Sequence, residues 1–134
     1  MRRLAGVVLL VCVSGGCRYG TRVEDFSAAH DPGGITVGIE TAQRQFRGEL
    51  IEVRGDGIVL RVGGQVWFME YGAIESSRFD GVPGDFGMRS GRTPDAGARG
   101  ELSLLARFPQ RLTPIQLNEL LGIYGQTRLQ TLGP

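Results

Sequence analysis

The stretch between Gln45 and Phe79 constrains this chain most, because its apolar residues alternate in short runs that glycine keeps cutting off. "QFRGELIEVRG" spans 45–55, "IVLRV" spans 58–62 and "QVWFMEY" spans 65–71. Alternation with a period of two marks strands that bury one face. Ile58, Leu60 and Val62 are expected to point inward, with Val59 and Arg61 outward. "RGDG" at 54–57 and the glycine pair at 63–64 are tight-turn signals. Phe46, Gly48 and Leu50 share one face. Gly48 falls where a strand can bend too sharply to carry an inward side chain. "ITVGIE" at 35–40 supplies a strand before this run. "GAIESSRF" at 72–79 supplies a short last one, anchored by Ile74. Within 65–71 the inner face is ambiguous: Val66 and Phe68 compete with Trp67, Met69 and Tyr71, so both faces are expected to be partly covered.

Strands this short cannot rest as a flat sheet. Their edges would stay unpaired and their small apolar face wet. Residues 35–79 are therefore expected to form a mainly β unit, a small five-stranded, strongly bent antiparallel barrel, followed by a C-terminal α-helical element.

That element begins after "DGVPGDFGMRSGRTPDAGARG" (80–100), where recurring glycine and proline break both periodicities and a flexible loop or linker is expected. Leu104, Leu105 and Phe108 fit a helical stripe over 101–108, ended by Pro109. A sharper helix follows. Thr113 is its N-cap, Pro114 its first residue, and Gln116 closes a capping box. Leu112 and Leu117 form the hydrophobic staple. Leu117, Leu120, Leu121 and Tyr124 recur at helical spacing, and Gly125 ends the helix. This apolar stripe is expected to fold back onto the barrel. A bilayer-surface helix is the weaker reading, since a basic polar face with flanking tryptophan is missing. The tail "QTRLQTLGP" reads as a frayed end or an added strand.

The opposite end carries a different signal. Arg2 and Arg3 precede an apolar run from Leu4 to Val13, which is too short for a membrane-spanning helix of about 20 residues. A positive start, a short apolar core and small residues after it read as an export signal. Ser14, Gly15, Gly16 and Cys17 resemble the lipobox of bacterial lipoprotein signals. That resemblance implies acylation of the Cys17 thiol, cleavage before it, and a mature chain that begins at Cys17. Arg18 stands where many such proteins carry an aspartate that retains them at the inner membrane. The implied location in a two-membrane bacterium is the outer membrane, facing the periplasm. Cys12 would leave with the signal and Cys17 would carry lipid. No thiol then remains for a disulfide, so packing and hydrogen bonds must hold the fold. The chain divides accordingly into a signal peptide (1–16), a lipidated N-terminus and tether (17–34), the barrel (35–79), the loop (80–100), two short helices (101–125) and a tail (126–134).

A second resemblance covers about a third of the chain. "FRGELIEVRGDGIVLRVGGQVWFMEYGAIESSRF" resembles the Sm-like and SH3-like small barrels, through Phe46-x-Gly48-x-Leu50-x-x-Val53, a glycine turn, Ile58-x-Leu60 and the later Ile74. In Sm proteins an acidic residue follows the position held here by Val53; this chain has Arg54. The usual asparagine nearby is absent too. RNA binding would return chiefly if the protein were not exported. Edge-to-edge association into a homo-oligomer, which such barrels can form, stays open.

Charge argues the same way about nucleic acid. The 134 residues carry a formal charge of +1. Losing Arg2 and Arg3 with the signal leaves side chains near −1, so no broad field attracts a polyanion. No catalytic set stands out. Ser76 and Ser77 lack a visible base, and His30 lies in the tether. Glu70 and Glu75, like Glu49, Glu52 and Asp56, read as outward polar residues and a turn rather than an acid–base pair or a cation site. No cofactor or metal is expected. Trp67, Tyr71, Leu117 and Leu121 are the candidate partner contacts. The expected function is a lipid-anchored envelope module for structural support or protein interaction. Alternatives are a small-ligand-binding or enzyme-accessory module.

Overall fold

The computed structural model describes residues 33–82 and 88–134. The expected signal, Cys17 and His30 lie outside the described residues. Six strands form one sheet: β1 (Thr36–Glu40), β2 (Gln45–Val53), β3 (Gly57–Val62), β4 (Gln65–Glu70), β5 (Ser76–Phe79) and β6 (Gln130–Leu132). Two helices follow β5, namely α1 (Ala96–Leu105) and α2 (Pro114–Ile123). The strand order is β5-β1-β2-β3-β4-β6, antiparallel except for the last pair. The five-stranded barrel expected from sequence is thus corrected to an open six-stranded sheet. The tail adds the sixth strand, and no pairing joins β5 to β4 or β6. Ahead of β6, the Gln126 side chain extends the same edge. Its amide oxygen accepts from Val66 N at 2.6 Å, and its amide nitrogen donates to Val66 O at 3.2 Å.

The first face of the sheet is strongly curved. Phe46 on β2 and Trp67 on β4 meet edge to face with ring centroids 5.5 Å apart, although β3 lies between their strands. Gly48 permits the bend. A Cβ there would press on the Arg61 carbonyl oxygen and sit 2.9 Å from its carbon. Leu50, Ile58, Leu60, Met69 and Phe79 pack into this hollow, and it is covered by Leu102 of α1 and by Ala106 just after the helix. Asp95 caps α1 by accepting from Ala98 N at 2.8 Å. The helix starts five residues before the expected 101 and turns Leu104 outward, to 75 % exposure. The preceding loop is anchored in its described parts. Ser90 N and Gly91 N donate to Glu75 O and Ile74 O, and Met88 is buried.

The second face is half covered. Ile51, Val59 and Val66 point to it and are fully buried beneath Leu120 and Leu121 of α2. Val59 is therefore outward, as its alternation requires, but dry. The β4 ambiguity has the same resolution: Trp67 and Met69 serve the first face, while Val66 and Phe68 serve the second. The capping box forms as the sequence requires, with Gln116 N donating to Thr113 Oγ1 at 3.2 Å and Thr113 N to Gln116 Oε1 at 2.9 Å. Gly125 follows the helix at φ +66°.

A seam on β2 lets the chain pass from one face to the other. β1 has five residues and β2 has nine, so the later half of β2 lacks a β1 partner. The segment after α1 takes that place: Arg107 N donates to Leu50 O at 2.9 Å and Phe108 N to Ile51 O at 3.0 Å. Gly34 lies beneath the crossing. A Cβ on it would strike the Leu50 carbonyl oxygen and come within 2.8 Å of Arg107 N. Glu49 ties the seam together, accepting from Gly34 N at 2.8 Å and Arg61 Nε at 2.9 Å, with Arg107 Nη1 at 3.6 Å. A bulge after Leu50 then turns both Ile51 and Glu52 to the second face.

Candidate functional site

The uncovered half of the second face is built from three strands. Gly38 on β1 lies opposite Arg47 on β2 and Arg78 on β5. Two residues along, Glu40 lies opposite Gln45 and Ser76. Alternation puts all six on the same side. None supplies apolar area, so a helix covering them would gain little. They enclose an open groove of about 490 Å³. Gly38 forms its floor, where an added Cβ would find no atom nearer than Arg78 O at 4.0 Å. Glycine weakens a strand interior; here it leaves a notch between two guanidinium groups.

The groups around the notch differ in freedom. Arg47 pairs with Asp80 just beyond β5. Ser76 Oγ donates to Glu40 Oε2 at 3.0 Å. Arg78 is exposed and forms no ion pair among the described residues. Such a set can hold a carboxylate and the backbone of an extended segment. A guanidinium meets a carboxylate through two parallel N–H bonds.

Of the carboxylates weighed as a cation site, Glu49 serves the seam and Glu52 pairs with Arg54 at 3.0 Å, while Asp56 is exposed in the turn between β2 and β3. Among the described residues no cluster of three or more His, Cys, Asp or Glu side chains could hold a metal ion.

The four candidate contact residues occupy different environments. Trp67 is half-buried, and the Arg44 guanidinium lies 4.4 Å from the Phe46 ring centre and 4.9 Å from that of Trp67. Tyr71 is buried, and its hydroxyl donates to Arg54 O at 2.8 Å. Burial pushes its pKa up to about 12, against the lowering effect of Arg99 and with a further rise from Asp56. Leu121 is buried and Leu117 half-buried between α2 and the sheet. Tyr71 and Leu121 are thus buried within the fold, whereas Trp67 and Leu117 stay partly exposed. Gly38, Arg47 and Arg78 were not singled out by sequence reasoning. Their signal was the shared polar parity of Thr36-x-Gly38-x-Glu40, Gln45-x-Arg47 and Ser76-x-Arg78, which acquires meaning only once the strands are paired.

The described chain therefore belongs to the mainly β class, with an open, mostly antiparallel sheet and two helices, and no described helix is long and apolar enough to cross a membrane. Compared with known proteins, it matches no family model, no curated protein and no solved structure.

Proposed function

We propose that the protein is a lipid-anchored cell-envelope module, attached through Cys17, that holds an extended acidic segment of a protein partner in the groove over Gly38. The anchor rests on the lipobox-like "SGGC" behind a short export signal. The implied location is the outer membrane, facing the periplasm, of a two-membrane bacterium. An Sm-like or SH3-like core is supported by the order β5-β1-β2-β3-β4 and by the 3₁₀ turn Tyr71–Ala73 between β4 and β5, with β6 as an addition. Folds of this size serve unrelated functions, so the site carries the functional argument.

The observation that carries it is the side-chain-free notch between Arg47 and Arg78 on a stretch of sheet that neither α1 nor α2 covers. A partner backbone can approach Gly38 closely, and a partner carboxylate can engage Arg78. Its open, mostly polar walls suit an extended segment better than an enclosed small molecule, whose pockets are mainly apolar.

Two measurements test the parts separately. Mass spectrometry of the mature N-terminus is expected to find diacylglyceryl-modified Cys17; a bare Cys17 behind an intact leader contradicts the anchor. Arg78→Glu is expected to cut partner retention at least tenfold while leaving the denaturation midpoint unchanged. Unaltered retention contradicts the groove.

A further inference from the structure

Helix α2 is apolar on both sides. Leu117, Leu120 and Leu121 face the sheet, while Pro114, Ile115, Asn118, Gly122 and Ile123 face outward and are exposed. Ile115 is 72 % exposed and Ile123 is 49 % exposed. Glu119, half-buried, is the only charge on the helix. A helix on a protein surface ordinarily carries charge on its solvent side, and one that is apolar all round is ordinarily covered.

Where the chain outside the described residues ends indicates what covers it. Gly34 is fixed against Leu50 and Arg107. Arg107 and Phe108 share one cavity wall with Thr113 and Gln116, which bracket Ile115 in the first turn of α2. The N-terminal segment therefore joins the fold on the side of the molecule where α2 begins. Fifteen residues lie between Cys17 and Gly33, and the sixteen steps that join them, at about 3.3–3.6 Å each, span at most ~58 Å, whatever their conformation.

We propose that the outer face of α2, centred on Ile115 and Ile123, docks onto the bilayer surface that holds the lipid of Cys17. This rests on the lipid-anchor reading above. Contact through two isoleucines would be weak for a free protein. The tether makes it intramolecular, so the bilayer is present at high effective concentration. With no cation on this helix, docking depends on apolar contact rather than on anionic headgroups. Pinned this way, the domain keeps a fixed orientation at the membrane.

The test uses the lipidated chain purified from membranes and reconstituted in phosphatidylcholine vesicles containing brominated lipid. The mature chain's only cysteine carries lipid, so Asn118→Cys gives a unique site for a fluorophore on the α2 face, and Gln43→Cys gives a control on the β1–β2 turn. The label at 118 is expected to be quenched at least twofold more than the label at 43. Adding 20 % phosphatidylglycerol should change this little. Ile115→Asp with Ile123→Asp, both at exposed positions, should abolish the difference while Cys17 stays lipidated. Equal quenching at both labels on a lipidated chain overturns docking alone. Energy transfer between labels at 118 that persists on dilution into excess lipid, without lipid quenching, assigns the face to a second copy and also overturns it. A bare Cys17 in the mass spectrum overturns the anchor reading and docking together.

Discussion

The second face of the sheet is two surfaces laid side by side. Under α2, Ile51, Val59 and Val66 are fully buried. Four residues before Ile51 on the same β2 strand, Arg47 stands beside Gly38 with neither α1 nor α2 over it. Both halves consist of residues that alternation points away from the first face. The divide between them is the seam, where β1 ends, β2 bulges, and the 106–108 segment crosses. Outward is thus not the same as solvated. An outward residue stays wet only where the chain has no apolar reason to fold over it.

Breaking the seam should have the largest effect on this division. Gly34→Ala places a methyl group against the Leu50 carbonyl and the Arg107 amide, so the crossing must lift and its hydrogen bonds to β2 are lost. The expected cost is about 4 kcal/mol or more, by steric strain plus unmet backbone groups. Gly38→Ala, in open space on the uncovered half, should instead stabilise the fold by about 0.5–1 kcal/mol. Urea denaturation of the two variants compares them directly; equal losses would remove the distinction.

The covered half contains a buried carboxylate, Glu52. The bulge turns Glu52 inward, to 2 % exposure, and Arg54 answers it at 3.0 Å while lying 5.5 Å from the Phe68 ring centre. Arg54→Ala leaves that carboxylate unanswered and should cost about 2–4 kcal/mol. Adding Glu52→Gln should restore at least half of the loss. Arg47→Ala, which breaks the exposed pair with Asp80, should cost under about 1 kcal/mol. A double-mutant cycle that gives Glu52–Arg54 no more coupling than Arg47–Asp80 would contradict the difference in burial.

The first face provides a pH test. The Tyr71 pKa rises from 10.0 to about 12 on folding, chiefly through burial. The native state thus holds the proton more tightly than the unfolded chain does. Its contribution is complete below pH 10 and is lost as pH climbs through about 12. At about 1.4 kcal/mol per unit, the loss is on the order of 2–3 kcal/mol. Comparing the alkaline fall in urea midpoint for the native chain and Tyr71→Phe measures it. Parallel curves would mean that the phenolate is not penalised.

Much of this fold was legible in the sequence, for local reasons. The alternation of 45–71 gave the hairpins, Gly48 the bend, and Thr113-Pro114-x-Gln116 the start of α2, because each depends on residues a few positions apart. Closure was not legible: whether a bent sheet completes a barrel depends on edge partners, and Gln130–Leu132 supplied an unexpected one beside β4. The start of α1 was obscured because Gly97 and Gly100 look like linker glycines, while the cap at Asp95 outweighs them. The glutamate at 52 broke the apparent period, since a bulge shifts every later side chain by one. The groove was hidden most completely, because Gly38, Arg47 and Arg78 come from segments that only strand pairing brings together.

The open half of the second face is the proposed meeting place of this protein and its partner. A photo-crosslinking residue at position 76, on the rim of the groove, tests it in intact cells. A discrete adduct in the membrane fraction is predicted, and it should vanish when Gly38→Val fills the notch without disturbing the fold. An adduct of undiminished yield in the Gly38→Val chain, or adducts that form equally from position 55 on the β2–β3 turn, would contradict the account.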